Sequence, residues 1–371
     1  MKAKKVELIE LFYDLIYVYA VSRLTALIEE PHNGMIAPYD FFKYLIMAFV
    51  ILQAWLYLTN YVNRYGHWRW WEYGITAVNM IAAIYLSNTI SNDWEQMYIP
   101  FNIAMFVMLL CVAVMYLIQT VTNKENAGAA KNSLTILSFV GLTYIAAFVA
   151  MLFGSANVVI WLDVAAVLLG AFLPFFIRGK FDKGIINFPH LVERFELLTI
   201  ITFGESIVGM TGYFDVRNFT MIPVIIFLIV ILLFGSYVTQ IHYLCDHHRN
   251  ERALKLMFSH YFIVIAVNLI TVNLHLIQNS EINHIFVAVL MIAAIIIFYT
   301  AIYSNSSYYR DGVRFGKTDI GVTIGIAVTG AALIMLFRDN LYGLLIGALF
   351  MTAGNFLWLI RKYNTIKRAV R

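Results

Sequence analysis

The stretch "ELFYDLIYVYA", residues 10–20, sets two carboxylates, Glu10 and Asp14, four residues apart in a run that is otherwise apolar and aromatic. A separation of four puts both acids on one face of a helix. The composition gives the setting in which such a helix must live. The 371 residues are 61% hydrophobic and only 13% charged, with a mean hydropathy of +0.75, which excludes an ordinary soluble domain.

Working outward from residue 10, apolar runs of roughly 20 residues, the length that crosses a bilayer as a helix, recur along the whole chain. Twelve spans are predicted, at 7–29, 40–62, 70–91, 95–121, 132–153, 157–177, 190–212, 219–243, 254–278, 283–304, 317–337 and 341–360. The fold class is therefore all-α, a polytopic integral membrane protein of about 12 transmembrane helices. Cytoplasmic loops of such proteins collect Lys and Arg. Alternate loops here hold Lys2, Lys4 and Lys5, then Arg64 and Arg69, Lys124 and Lys131, Arg178, Lys180 and Lys183, Arg249 and Arg252, Arg310 and Arg314, and the tail from Arg361 to Arg371. The opposite loops hold Arg217 and Arg338. Both termini are accordingly placed in the cytoplasm, and the net charge of +4 reflects this bias rather than a nucleic-acid partner.

The first span is too acidic for a cleavable signal, the loops around 178–190 and 304–317 are too short for a soluble domain, and Cys111 and Cys245 form no disulfide framework. The polar loop "RGKFDKGIINFPHLVER" divides the chain into halves, 1–185 and 186–371, of six spans each. Residues 10–18, "ELFYDLIYV", overlay 193–201, "ERFELLTII", with Glu10 on Glu193 and Phe12 on Phe195. Six spans per half would make the halves parallel repeats.

The seventh span, "HLVERFELLTIITFGESIVG" at 190–209, is the second one rich in charge. It opens with His190, Glu193, Arg194 and Glu196 and then buries Glu205 beside Ser206. An ionised, unpaired acid at the bilayer centre costs about 2.5–3.5 kcal/mol or more, so Glu205 must be protonated, paired or hydrated. Arg23, with no acid one turn away in its own helix, is the expected partner of Glu205. The face carrying Glu10 and Asp14 should meet the polar side of span 7. Gln53, Asn79, Asn102, Asp163, His260, Asn268, Asn273, His275, Asp319 and Asn355 also punctuate the spans. Amides and histidines often only join helices; buried acids more often line an ion or substrate path. Gly321 and Gly325, in a small-xxx-small pattern, read as a helix-packing face, as do Gly204, Gly209 and Gly212.

"HYLCDHHRNE" offers His242, Cys245, Asp246, His247 and His248 as a weak metal candidate, without the second ligand pair that a zinc site needs. Nucleotide-loop, hydrolase and metalloprotease motifs are absent, and no sequence feature calls for a cofactor.

"VELIELFYDLIYVYAVSRLT" and "PHLVERFELLTIITFGESIVG" together closely resemble the bacterial low temperature requirement A (LtrA) family, with its E-L-F-F-D-L-V-F-V-like opening and E-R-F-x-L-x-T-I-I-x-x-G-E-S-like centre. The resemblance spans essentially the whole chain and implies a multi-pass protein of the bacterial inner membrane linked by name to growth in the cold, without implying a reaction. Its motif positions here are Glu10, Phe12, Asp14, His190, Glu193, Arg194, Gly204, Glu205 and Ser206. Tyr13 and Glu196 stand where many relatives have Phe and Gly. The triplet "FYD" at 12–14 is also similar to the F-S-D motif of a potassium-channel family built from six-span repeats.

The favoured expectation is a proton- or cation-coupled secondary transporter of a small solute, in contact with lipid and compatible with a homodimer. Its pathway would be lined by Asp14, Glu205, Glu10, Arg23, His190, Glu193, Arg194, Glu196, Ser206 and Asp163. A proton or potassium channel, and a lipid-modifying enzyme or scaffold, remain alternatives.

Overall fold

The computed structural model describes residues 4–91, 93–123, 127–154, 156–177, 185–249 and 251–369. Lys183, at the centre of the basic middle loop, lies outside them, as do Lys2, Lys124, Arg178 and Lys180. The described residues form twelve helices: α1 (Leu8–Ala26), α2 (Pro38–Tyr65), α3 (Trp70–Thr89), α4 (Trp94–Thr122), α5 (Ala127–Leu152), α6 (Ala156–Phe176), α7 (Phe188–Met210), α8 (Ile222–Val238), α9 (Leu254–Leu276), α10 (His284–Ser304), α11 (Lys317–Leu336) and α12 (Leu341–Ala369). A π-helical turn, Thr239–Leu244, extends α8.

Ten of these helices are long and apolar enough to cross a membrane. The other two, α1 and α3, were expected to do so as well. They fall short in composition because they carry the polar groups that matter most: α1 holds Glu10, Asp14 and Arg23, and α3 holds Glu72, Asn79 and Asn88.

The chain forms two compact units. Met1–Leu27, Tyr39–Arg194 and Asn250–Arg252 make the first; Ile28–Pro38, Phe195–Arg249 and Ala253–Arg371 make the second. In the first, α2 is the central helix, buried over 72% of its most apolar window, whereas α5 and α6 bury only 28% and 22%. In the second, α9 is buried over 89% and α11 over 17%. A helix apolar all round and buried is a core helix; one apolar and exposed is a helix solvated by lipid. Leu142, Phe172, Ile324 and Val328, all exposed, belong to the second kind.

Acids start three helices. Glu10 Oε1 accepts the Glu7 backbone N–H at 3.3 Å, Glu72 Oε2 that of Arg69 at 2.7 Å, and Asp319 Oδ2 that of Gly316 at 2.7 Å. Each satisfies an N–H that the helix itself leaves bare and sets negative charge at the positive end of the helix dipole.

The glycine readings need correction. Gly204, Gly321 and Gly325 face open space, so they pack against no helix within their unit. The close approaches are at Gly209, as expected, and at glycines that the pattern did not mark. A Cβ on Gly170 of α6 would overlap Gln53 Nε2 and the Tyr57 hydroxyl of α2. One on Gly235 of α8 would lie 2.9 Å from the Phe356 ring of α12, and one on Gly209 would lie 3.0 Å from Thr271 Cγ2.

Candidate functional site

In the first unit, the acids of α1 lie against the opening turns of α7, whose position is fixed by two asparagines. Asn187 Oδ1 caps the helix by accepting the His190 backbone N–H at 3.2 Å. From α2, Asn63 donates to the Asn187 carbonyl at 2.7 Å and accepts the Asn187 N–H at 3.2 Å. With both ends of its amide assigned by backbone groups, Asn63 must present Nδ2 to His190 Nδ1, 3.1 Å away. That nitrogen therefore accepts, and the ring proton sits on Nε2. Nε2 faces Glu10 Oε2 at 3.1 Å.

Arg194, one turn further on, bridges both acids. Its Nη1 donates to Glu10 Oε2 at 3.0 Å and its Nη2 to Asp14 Oδ1 at 2.5 Å. Indole nitrogens complete the shell: Trp55 Nε1 donates to Asp14 Oδ1 at 2.7 Å, and Trp68 Nε1 to Glu10 Oε1 at 3.3 Å. The guanidinium also lies 5.5 Å from the centre of the Trp55 ring, a cation–π distance. Glu10, Asp14, His190 and Arg194 are each at most 2% exposed. Asp14 Oδ2 and Arg194 Nε have no hydrogen-bond partner.

The charge balance follows from these contacts. Two carboxylates, Glu10 and Asp14, face one guanidinium, with the His190 ring beside Glu10. Lys4 sits at its edge, donating to the Val62 and Gly66 carbonyls at 2.6 and 2.7 Å. Burial pushes its ammonium below the usual lysine range, and the Glu10 carboxylate opposes that shift. Tyr13, Leu58, Thr59, Val62 and Trp68 line a small gap beside Glu10 and Arg194.

The remaining candidates are placed separately. Glu193 is exposed. Arg23 donates to the Ile90 carbonyl at 3.2 Å. Asp163, in α6, accepts from Asn102 Nδ2 at 3.3 Å. In the second unit Glu205 is half-buried, Ser206 shares a 2.5 Å hydrogen bond with Thr271, and Glu196 lies 3.5 Å from His242 Nδ1.

Residues of the weak metal candidate make contacts of their own. Cys245 accepts from Gln240 at 3.1 Å, His247 Nε2 binds the Ile241 carbonyl at 2.7 Å, and Asp246 accepts the His248 N–H at 3.0 Å. Among the described residues no three His, Cys, Asp or Glu side chains converge to hold a metal ion.

Sequence reading missed Trp55, Trp68, Asn63 and Asn187. Asparagine immediately before an apolar helix is a capping signal and could have identified Asn187. The tryptophans carried no such mark.

Twelve helices among the described residues, ten of them long and apolar enough to cross a membrane, define a polytopic helical membrane protein. The chain belongs to the bacterial low temperature requirement A (LtrA) family, whose model matches residues 5–359. Comparison with curated proteins gave no match.

Proposed function

We propose that the protein is a transporter that couples the movement of a small solute to that of a proton or cation, with Glu10, Asp14 and Arg194 as the element that responds to the ion. The observation that carries this reading is the cluster itself: two buried carboxylates, one guanidinium and a bare Asp14 oxygen. Ionisable groups are rarely kept within membrane helices without a functional reason. Adding one proton to Asp14 removes one of the two carboxylate charges and weakens its hold on Arg194 Nη2. The guanidinium is then left with Glu10 alone, so a single ion alters the connection between α1 and the start of α7.

In this proposal Glu205, with Ser206, is the second polar point of the pathway. Its pairing with Arg23 belongs to the proposal too, as do cytoplasmic termini in a bacterial inner membrane and parallel repeats at 1–185 and 186–371. The overlay of residues 10–18 on 193–201 supports the repeat.

Proton and potassium flux into proteoliposomes under an imposed potential tests the reading. Flux that depends on added solute and is lost in folded Asp14→Asn and Glu205→Gln variants is expected. Solute-independent potassium current would instead make the protein a channel, and silent wild-type protein, with variants that are merely less heat-stable, would make the cluster structural.

A further inference from the structure

Away from the α1 cluster, the first unit buries another acid that no cation accompanies. Asp163 is 1% exposed, on α6, and its hydrogen bond comes from Asn102 Nδ2 of α4, a long 3.3 Å contact to Oδ2. The second hydrogen of that amide is already given to the Tyr98 carbonyl at 2.9 Å. Both amide hydrogens are spent, yet two acceptors remain buried with no donor: Asp163 Oδ1 and Asn102 Oδ1.

The surroundings supply no positive charge. Among the described residues Asp163 makes no ion pair with Lys, Arg or His. From α5, Tyr144 is buried within electrostatic range of both Asp163 and Tyr57. From α2, Gln53 spends its amide on the Val167 carbonyl at 3.2 Å, and the Tyr57 hydroxyl, buried against Gly170, has no partner. Arg252 touches α6 at the Pro174 carbonyl, three turns beyond Asp163. The titratable group that interacts with Asp163 is thus the Tyr144 phenol.

An ionised carboxylate in such a place would be held by one weak amide bond and nothing else, an arrangement that buried charges do not tolerate. A metal cation would ask for roughly six oxygens, and only two stand bare. A carboxylic acid removes the charge and brings its own O–H donor to the two bare acceptors, Asp163 Oδ1 and Asn102 Oδ1. We infer that Asp163, with Asn102, forms a second proton-holding site, in which the side chain stays a neutral carboxylic acid at neutral pH. The site deepens the transport reading by making the proton the coupling ion, although the presence of the proton on Asp163 does not depend on transport.

Infrared spectroscopy of the protein in lipid bilayers at neutral pH tests it. Wild type should show a carboxylic C=O band that shifts in D2O, disappears in Asp163→Asn and persists in Asp14→Asn. A band that survives Asp163→Asn, or no such band in wild type, overturns the inference. Should Asp163→Asn fail to fold, Asn102→Leu gives a second readout: loss of the amide hydrogen bond to Oδ2 should move the band to higher frequency, and an unmoved band overturns the assignment. Flux measured on the same vesicles separates the two readings, since silent vesicles with the expected band would end the transport proposal and leave the proton site standing.

Discussion

Arg194 is the residue on which the candidate site depends. Removing one partner of a buried ion pair costs about 3–5 kcal/mol, because the other charge stays buried without compensation. Arg194→Gln strands two carboxylates and is expected to lower stability in detergent by at least that amount, read by thermal or denaturant unfolding. Arg194→Lys keeps the charge but cannot span Glu10 and Asp14 with two separate nitrogens, and should fall between the two. A second residue-scale expectation concerns Cys245, whose thiol burial pushes up to about 12. At pH 8 only ~1 in 10,000 such thiols is ionised. A thiolate-selective reagent should therefore leave Cys245 unmodified in folded protein and modify it once detergent has unfolded the chain. At this scale the sequence disclosed the participants, since acids, a histidine and an arginine stand out against apolar runs. It did not disclose the pairing. Helical periodicity relates neighbours three and four residues apart, whereas Arg194 meets Glu10 and Asp14 across 184 and 180 residues.

Among the elements, most helix limits were legible, because a bilayer imposes a length on each apolar run; the exceptions are the start of α5, five residues early, and the end of α12, which runs nine residues past the expected 360. The faces of those helices were not. Gly321 and Gly325 share a spacing that suits helix packing, yet they face open space, while the tight approach between α2 and α6 occurs at Gly170, an isolated glycine. The structure assigns Gly170 a clear cost of substitution. Gly170→Ala would drive a methyl group into Gln53 and Tyr57, and overpacking of this kind costs about 1–3 kcal/mol. Gly321→Ala has room and removes helix-interior glycine, so it should be neutral or stabilising by up to about 1 kcal/mol. Paired melting curves of the two variants check both. α1 and α3 show why composition alone misjudges an element: the charges that reduce their apolar character are satisfied by Arg194, Tyr61 and backbone N–H groups rather than by lipid or water.

For the whole molecule, the distribution of basic residues predicts an orientation that the helix packing by itself leaves open. Reporter fusions active only in the cytoplasm should be active at residue 371, and those active only outside should be active when inserted at 215–219, in the described loop before α8. The opposite result would invert the proposed orientation and place the α1 cluster at the other face of the membrane.

The distance in sequence between α1 and its arginine has a consequence for how the protein is made. Ribosomes deliver about 5–20 residues per second, so Glu10 and Asp14 emerge about 10–40 s before Arg194 does. During that interval the first helix is a weakly hydrophobic segment with two uncompensated acids, and it has every reason to linger at the insertion machinery or at the membrane surface instead of settling among lipids. A nascent chain arrested shortly before residue 194 should accordingly hold its first helix less firmly than one arrested a few turns later, and the synthesis of a single guanidinium would mark the moment at which the amino-terminal helix is secured.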